Sequence, residues 1–498
     1  MAPNAPASRE KVFLYCEVAV GILIAAVVLS CWSELNIALA KYLAFALICG
    51  LFAMAPFRLF SAKRLLLLVG LVFFPVTLTF GGKDAIGSAS LLILLMACFY
   101  AFGFLLADRS RIQVERVGWI ALLIVIALID ALRARRAYIG PELRHFLNFA
   151  TSGLLFLMLI NTPSLCGIKR GSMAQKLLSV IVFLVAAEVC LGLLAMYLPF
   201  GSRMFRVFLV RTKEELLSVG DSISAIRLST FNMASEELGE ILAMMCPLVF
   251  YLALNRGARY WGVFLLLGVG LLFVNTRSCI LLALASTLIM LVGYGCRVRV
   301  KNLLVFAAGA AATVILLGVL APSVLVGVAK HMSVAVSGVH RGQGLITVFN
   351  RDFVWPDAWR VTKSTLSWFG NGPAPSRVVG LNEYNMHNLY LTLVYQFGIA
   401  GSLVYLGLPL LVLGGLTLGA IRSGENLRRF KWACALSLLL FFINEIKFEF
   451  NRSDSYQQVI WVMFALYYLV ARMKDSELSA NAVSVSARQV AGGEAAIR

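Results

Sequence analysis

Charge is scarce in this chain. Of its 498 residues only 14% are charged against 60% hydrophobic, and the mean hydropathy is +0.86. A soluble domain of this length needs far more charged surface, so lipid must solvate most of the molecule. Period-2 alternation is missing from the apolar runs, which argues against a transmembrane β-barrel. Paired cysteine motifs are missing too. The ten cysteines are scattered with no CxxC or CxxH, so neither a disulfide framework nor a zinc site is indicated. GxxxxGK[ST], HExxH and GxSxG are all absent, which argues against ATP-driven transport, zinc proteolysis and serine hydrolysis. Histidine occurs at four positions only: His145, His331, His340 and His387.

Long apolar segments are what the chain has in plenty. Val12–Cys31, Leu65–Phe80, Leu91–Ala107, Leu177–Leu198 and Leu303–Val326 each approach or exceed the roughly 20 residues a helix needs to cross a bilayer. The expected fold is all-α, a polytopic membrane bundle of about 12 to 14 transmembrane helices with a large, partly helical outer loop. The short segments Trp261–Asn275 and Ser278–Gly295 read as half-helices or as tilted full ones. The polar start leads straight into the first span, which reads as a retained helix rather than a removed signal peptide. By this reading residues 1–11 are a cytoplasmic N-terminus and 12–328 are helices with short outer loops. A large outer loop follows over 329–386, then further spans over 387–472, and 473–498 form a small, polar, disordered tail.

A net charge of +19 invites a nucleic-acid reading, but the cations flank spans instead of forming a basic domain, so no nucleic-acid partner is expected. Arg9/Lys11, Arg58/Lys63/Arg64, Arg109/Arg111/Arg116, Lys169/Arg170, Arg256/Arg259, Arg297/Arg299/Lys301 and Arg422/Arg428/Arg429 fall on one face. The tail from Arg472 joins them. This positive-inside pattern puts both termini in the cytoplasm. The opposite face breaks the rule. Arg133, Arg135, Arg136 and Arg144 read as one outer loop, and Arg203, Arg206, Arg211, Lys213 and Arg227 as a second. The long segment carries Arg341, Arg351, Arg360, Lys363 and Arg377. Arginine on a translocated face opposes the topological bias, which points to anion binding, unless those side chains grip lipid headgroups.

Within the long segment, Phe349–Thr362 has Trp and Arg at helical spacing interrupted by Pro356, the pattern of a helix lying on a membrane surface. Trp368-Phe-Gly-Asn-Gly-Pro follows as a glycine-rich turn suited to close backbone approach. His387-Asn-Leu-Tyr then opens the next span. A histidine there can act as a general base or merely cap the helix. Arg277, isolated between two apolar runs, can grip a diphosphate with its planar fork or snorkel to headgroups. No acidic pair stands out as a metal site, although Glu214/Glu215, Asp221, Glu236/Glu237, Glu240, Asp352 and Asp357 leave a carboxylate role open.

Three segments taken together carry a resemblance. They are Arg277-Ser between apolar runs, Arg351 ahead of Trp355, Trp359 and the Phe-Gly-Asn-Gly turn, and His387-Asn-Leu-Tyr followed by Phe397-Gly-Ile-Ala-Gly. In this order they resemble the O-antigen ligase/polymerase superfamily of bacterial envelope glycosyltransferases, over about Arg227 to Ala400. The resemblance implies a periplasmic, metal-independent transfer in the bacterial inner membrane that needs no cofactor. The implied donor is undecaprenyl-diphosphate-linked O-antigen, and in the ligases the acceptor is lipid A-core oligosaccharide. His387 matches the family's essential histidine, and Arg277 and Arg351 match its two diphosphate arginines. Arg341 rivals Arg351. Arg227 resembles an upstream family position whose following Asn-Pro-Asn reads Asn232-Met233-Ala234 here. The expected partners are those two substrates and membrane lipids, with the chain a monomer. An O-antigen polymerase or a protein O-oligosaccharyltransferase would share the donor. A lipid-linked oligosaccharide flippase is the non-enzymatic alternative. It would carry charges inside its spans and two related halves, whereas intramembrane charges here are few, Glu188 among them.

Overall fold

The computed structural model describes residues 62–73, 115–133, 139–197, 228, 233, 235–257, 259–274, 276–293, 315, 318, 322, 326, 355–372, 388–446 and 454–477. Among these residues every regular element is a helix. They are α1 (Ala62–Phe73), α2 (Val117–Leu132), α3 (Ile139–Cys166), α4 (Arg170–Tyr197), α5 (Ser235–Arg256) and α6 (Arg259–Val274). The chain continues through α7 (Arg277–Gly293), α8 (Trp355–Ser364), α9 (Leu389–Ile421), α10 (Glu425–Asn444) and α11 (Asp454–Ala471). The protein is an all-α, polytopic membrane bundle, as its composition dictates.

Among the described residues four helices are long and apolar enough to cross a membrane: His145–Cys166, Arg170–Leu193, Ser235–Arg256 and Leu389–Ile421. Their outward faces say the same. On α7, Leu284, Leu288, Ile289 and Val292 are exposed, and on α9 so are Leu403, Leu411, Leu418 and Ile421. Apolar stripes of that extent, with all backbone polar groups satisfied inside the helix, suit hydrocarbon and not water. The two short segments are continuous helices of 16 and 17 residues, about 24–26 Å at 1.5 Å per residue. They fall just short of a full hydrocarbon layer, so they are not half-helices.

Helix α5 is the axis of one half. Its apolar window is 94% buried against 33% for α9, so α5 is surrounded by protein while α9 keeps a lipid face. It packs on α6, α7 and α10, while α11 packs on α3, α4 and α9. Close approach is built in at Gly239, where an added Cβ would lie 2.8 Å from a Val274 methyl and 3.3 Å from Cys279 Sγ. Aromatic edges fill the second half: Trp461 meets Phe156 at 5.5 Å and Phe149 at 5.8 Å between ring centroids. None of the described cysteines forms a disulfide.

The bundle has two unlike ends. At the lower end Glu115 pairs with Arg170 and accepts from the Tyr468 hydroxyl at 2.5 Å. Asp475 takes the Gly424 amide at 3.1 Å, and Lys431 Nζ reaches the Met473 carbonyl at 3.1 Å. Arg116, Arg256, Arg259, Arg422, Arg428, Arg429 and Arg472 all belong to helix ends there. These are cations that the sequence assigns to one face. The upper end gathers the starts of α5, α7, α9 and α11 with the ends of α6 and α10, and it is described next.

Two local expectations need correction. Arg144 belongs to α3, which begins at Ile139, and not to a loop. Pro356 does not interrupt a helix, because α8 begins at Trp355 and the proline sits in its first turn, where its missing N–H costs nothing. Residues 349–354 of that segment lie outside the described residues, as do Val12–Cys31, Leu91–Ala107 and most of Leu303–Val326.

Candidate active site at the upper end of the bundle

Arg277 is the first residue of α7, with Thr276 before it as cap: the Ile280 amide donates to the Thr276 carbonyl at 3.1 Å. The Thr276 hydroxyl oxygen is buried and has no hydrogen-bond partner. A helix start presents unpaired N–H groups and the positive end of the macrodipole, so Arg277 sits where an anion is already favoured. Of the other residues singled out in the sequence, His387, Arg227, Arg341 and Arg351 lie outside the described residues. Their chain neighbours are informative for two of them. Leu228, next to Arg227, is fully buried, and its amide donates to the Phe273 carbonyl at 3.0 Å in the last turn of α6. Asn388, next to His387, caps α9, its Oδ1 accepting from the Leu391 amide at 3.1 Å. The Leu389 amide donates to the Glu445 carbonyl at 2.9 Å, and the Tyr390 hydroxyl to the Phe442 carbonyl at 2.6 Å, so the start of α9 is clamped to the end of α10.

Buried carboxylates link these corners. The Tyr456 hydroxyl donates to Glu240 Oε2 at 2.6 Å, and Tyr456 also feels the charges of Glu445 and Glu237. Glu240 and Glu445 are fully buried and Glu237 nearly so. Packing and a hydrogen bond therefore run from the start of α7 through Gly239 and Glu240 of α5 to Tyr456, while a backbone bond joins Glu445 to the start of α9 and the Glu445 charge is felt at Tyr456. Among the described residues no three His, Cys, Asp or Glu side chains are grouped as a metal site. Carboxylates buried this deeply must meet cations or give up their charge. In the sequence Glu237 and Glu240 leave a carboxylate role open, whereas Glu445 and Tyr456 do not stand out. The available signal was Glu445 inside the apolar run FFINEI, because an ionisable residue at membrane depth is a functional candidate by default. Tyr456→Phe removes the hydroxyl from Glu240 and leaves a buried carboxylate oxygen short of a donor. It is expected to cost roughly 1–3 kcal/mol, read as a lower melting temperature in detergent, whereas Tyr467→Phe keeps this carboxylate satisfied.

A second device closes the upper end. α9 is broken at Gly398, which adopts φ 70 and ψ −173. The carbonyls and amides freed by the break are taken up by the turn after α8. Asn371 and Gly372 amides donate to the Tyr395 and Gln396 carbonyls at 2.8 and 3.3 Å. In return the Ile399 and Ala400 amides donate to the Ser367 and Trp368 carbonyls, each at 3.1 Å. Non-helical backbone is tolerated at membrane depth only when protein satisfies it in this way. The contact demands glycine on both sides. A Cβ on Gly370 would lie 2.0 Å from the Gln396 carbonyl oxygen, and one on Gly398 would lie 2.5 Å from the Trp368 carbonyl. Asn371 Nδ2 adds bonds to the Thr365 carbonyl at 3.0 Å and the Tyr395 carbonyl at 3.2 Å. Arg133, capping α2, donates to the Phe369 carbonyl at 2.8 Å. The glycine-rich turn is thus a strap tying the long segment to the kink in α9.

Set against known proteins, residues 262–406 match a family model described as O-antigen ligase. The match takes in most of α6, all of α7 and α8, the strap, and α9 past its kink. It includes Arg277, Arg341, Arg351 and His387 and leaves Arg227 outside. No curated protein matches the chain.

Proposed function

From the match of residues 262–406 to the O-antigen ligase family model, we propose that this membrane protein transfers O-antigen polysaccharide from undecaprenyl diphosphate to lipid A-core oligosaccharide at the periplasmic face of the inner membrane. In this reading the upper end of the bundle faces the periplasm. The cation-rich lower end faces the cytoplasm, in line with the positive-inside bias. The observation that carries the reading is the meeting, at one end, of the Arg277 helix start, the residue after Arg227 and the residue after His387, around three buried carboxylates.

The chemistry follows from the leaving group. Breaking the sugar–phosphate bond builds negative charge on a lipid diphosphate. Arg277 and Arg351 hold it with forked hydrogen bonds, assisted by the amides at the start of α7, with Arg341 and Arg227 as further donors. Glu237, Glu240 and Glu445 keep the arginines extended and oriented before substrate arrives, since fixed donors need no reorganisation when charge develops. The acceptor hydroxyl attacks the anomeric carbon from the face opposite the diphosphate as His387 removes its proton, which inverts the anomeric configuration. Neither a metal nor a cofactor enters this scheme.

The test is a transfer assay on the purified full-length chain with lipid-linked donor. Capped core lipid as the product supports a ligase. Elongation of the donor when it is supplied alone makes the chain a polymerase, and glycan on a Ser/Thr peptide makes it a protein glycosyltransferase. Arg277→Lys keeps the charge but loses the fork, so transfer should fall about 10²–10³-fold, the usual cost of one such donor. Full activity in that variant would reduce Arg277 to a topology marker.

A further inference from the structure

The strap and the helix before it carry a group of large apolar side chains turned out of the bundle. Leu366, Trp359, Trp368 and Phe369 are between 54% and 75% exposed. Other side chains of the same stretch face inward. Thr362 is buried, and Val361 packs against Tyr395 of α9 beside Leu391. Four side chains of this size left open in so short a stretch mark a surface that something else covers.

Their height in the bundle identifies the cover. α2 leaves the cation-rich lower end at Arg116 and runs 16 residues to Leu132, about 24 Å at 1.5 Å per residue. Leu122, Val125, Ile129 and Leu132 are exposed along it, at the spacing of a single helical face. Where that stripe ends, Arg133 donates to the Phe369 carbonyl at 2.8 Å. On α9 the exposed stripe begins at Leu403, just below the kink at Gly398. The strap therefore lies across the upper border of a roughly 30 Å hydrocarbon layer, the level at which tryptophan anchors membrane proteins. A continuous lipid-facing surface leads up to the exposed aromatics, so lipid covers them and not another protein.

Charge then selects among lipids. Arg133, Arg360 and Lys363 are exposed in the same region, and the one acid between residues 355 and 372 is Asp357, in the first turn of α8. Guanidinium and ammonium groups suit phosphate, and a headgroup with net negative charge gains more from them than a zwitterionic one.

We propose that α8 and the strap dock the headgroup of an anionic phospholipid in the leaflet that meets the upper end. Trp359, Leu366, Trp368 and Phe369 enter the interface, and Arg360 and Lys363 take the phosphate. The contact steadies the strap on α9, with which it shares four backbone hydrogen bonds. Anionic lipid therefore supports transfer, and this consequence alone rests on the proposed function.

The test places the photoreactive residue p-benzoylphenylalanine at Phe369, or at Leu403 as a control, in the full chain. The carrier is a nanodisc of equal parts phosphatidylglycerol and phosphatidylcholine. Irradiation should give phospholipid adducts at both positions, with phosphatidylglycerol favoured at least threefold at 369 and not at 403. Arg360→Gln combined with Lys363→Gln should abolish that preference. Wild-type transfer should fall at least threefold in phosphatidylcholine alone, while the double variant works at the same rate in both lipids. Labelling at 403 without labelling at 369, or adducts at 369 with no lipid preference, overturns the docking surface. Loss of the phospholipid adducts at 369 when lipid A-core oligosaccharide is added assigns the surface to the acceptor and overturns it too. Wild-type transfer indifferent to lipid charge overturns the link from headgroup to strap. A chain that transfers nothing in either lipid yet keeps the preference at 369 sinks the transferase reading and leaves the docking surface standing.

Discussion

Replacing His387 with alanine is expected to lower glycan transfer by roughly 10²–10⁴-fold, the range over which a positioned general base contributes. Expression, melting temperature and lipid-linked donor binding should remain near wild type. The separation of effects follows from the neighbourhood. The start of α9 is held by the Asn388 cap, by the Leu389–Glu445 backbone bond and by the Tyr390 hydroxyl on the Phe442 carbonyl. None of these contacts involves the imidazole at position 387, so truncating it leaves the helix anchored. A helix-capping role would give the reverse pattern, with a lower melting temperature and near-normal turnover. His387→Asn separates the alternatives further, because asparagine restores hydrogen bonding but cannot take up a proton at neutral pH.

The second large effect belongs to the strap. Gly370→Ala places a methyl 2.0 Å from the Gln396 carbonyl oxygen, a distance no side chain can accept. It also forces alanine into a conformation, φ 72, that costs on the order of 1–3 kcal/mol. The turn must lift away from α9, giving up the four backbone hydrogen bonds that join residues 367–372 to residues 395–400. The segment leading to His387 loses its anchor with it. Displacements of about 1 Å at a reacting centre can cost 10²-fold, so transfer should fall by roughly that factor, with new proteolytic cleavage between residues 365 and 372. Gly372→Ala is the control. Its Cβ would come no nearer than 3.3 Å to Arg133 Cβ, so it strains its own backbone without driving the strap off α9. Equal activity in Gly370→Ala and wild type would mean that the strap has no part in placing the site.

Much of this architecture was legible because the bilayer leaves few choices. Apolar runs near twenty residues have one common solution, and the arginines that bracket them sort into ends. The Phe-Gly-Asn-Gly turn was visible as glycines suited to close approach, and Phe397-Gly398 only as part of a family resemblance. That they meet each other was not, because backbone pairing between residues 24 and 32 apart leaves no periodic trace. The carboxylate cluster was hidden for a related reason. Glu237 and Glu240 lie on α5, some two hundred residues before Glu445 and Tyr456 at the α10–α11 corner, and only the packing of that corner against α5 brings them together. Pro356 misled because a proline reads as a break, whereas in the first turn of a helix it is at home.

A photoreactive undecaprenyl-diphosphate probe, crosslinked to the chain in native membranes and mapped by mass spectrometry, goes straight to the heart of the account. Adducts should fall on the start of α7, around Arg277 to Cys279, and on the residues flanking Asn388, with unlabelled donor competing them away. Adducts confined to the opposite end, around Arg256–Arg259 or Arg422–Arg429, would place the diphosphate across the membrane from His387 and contradict it.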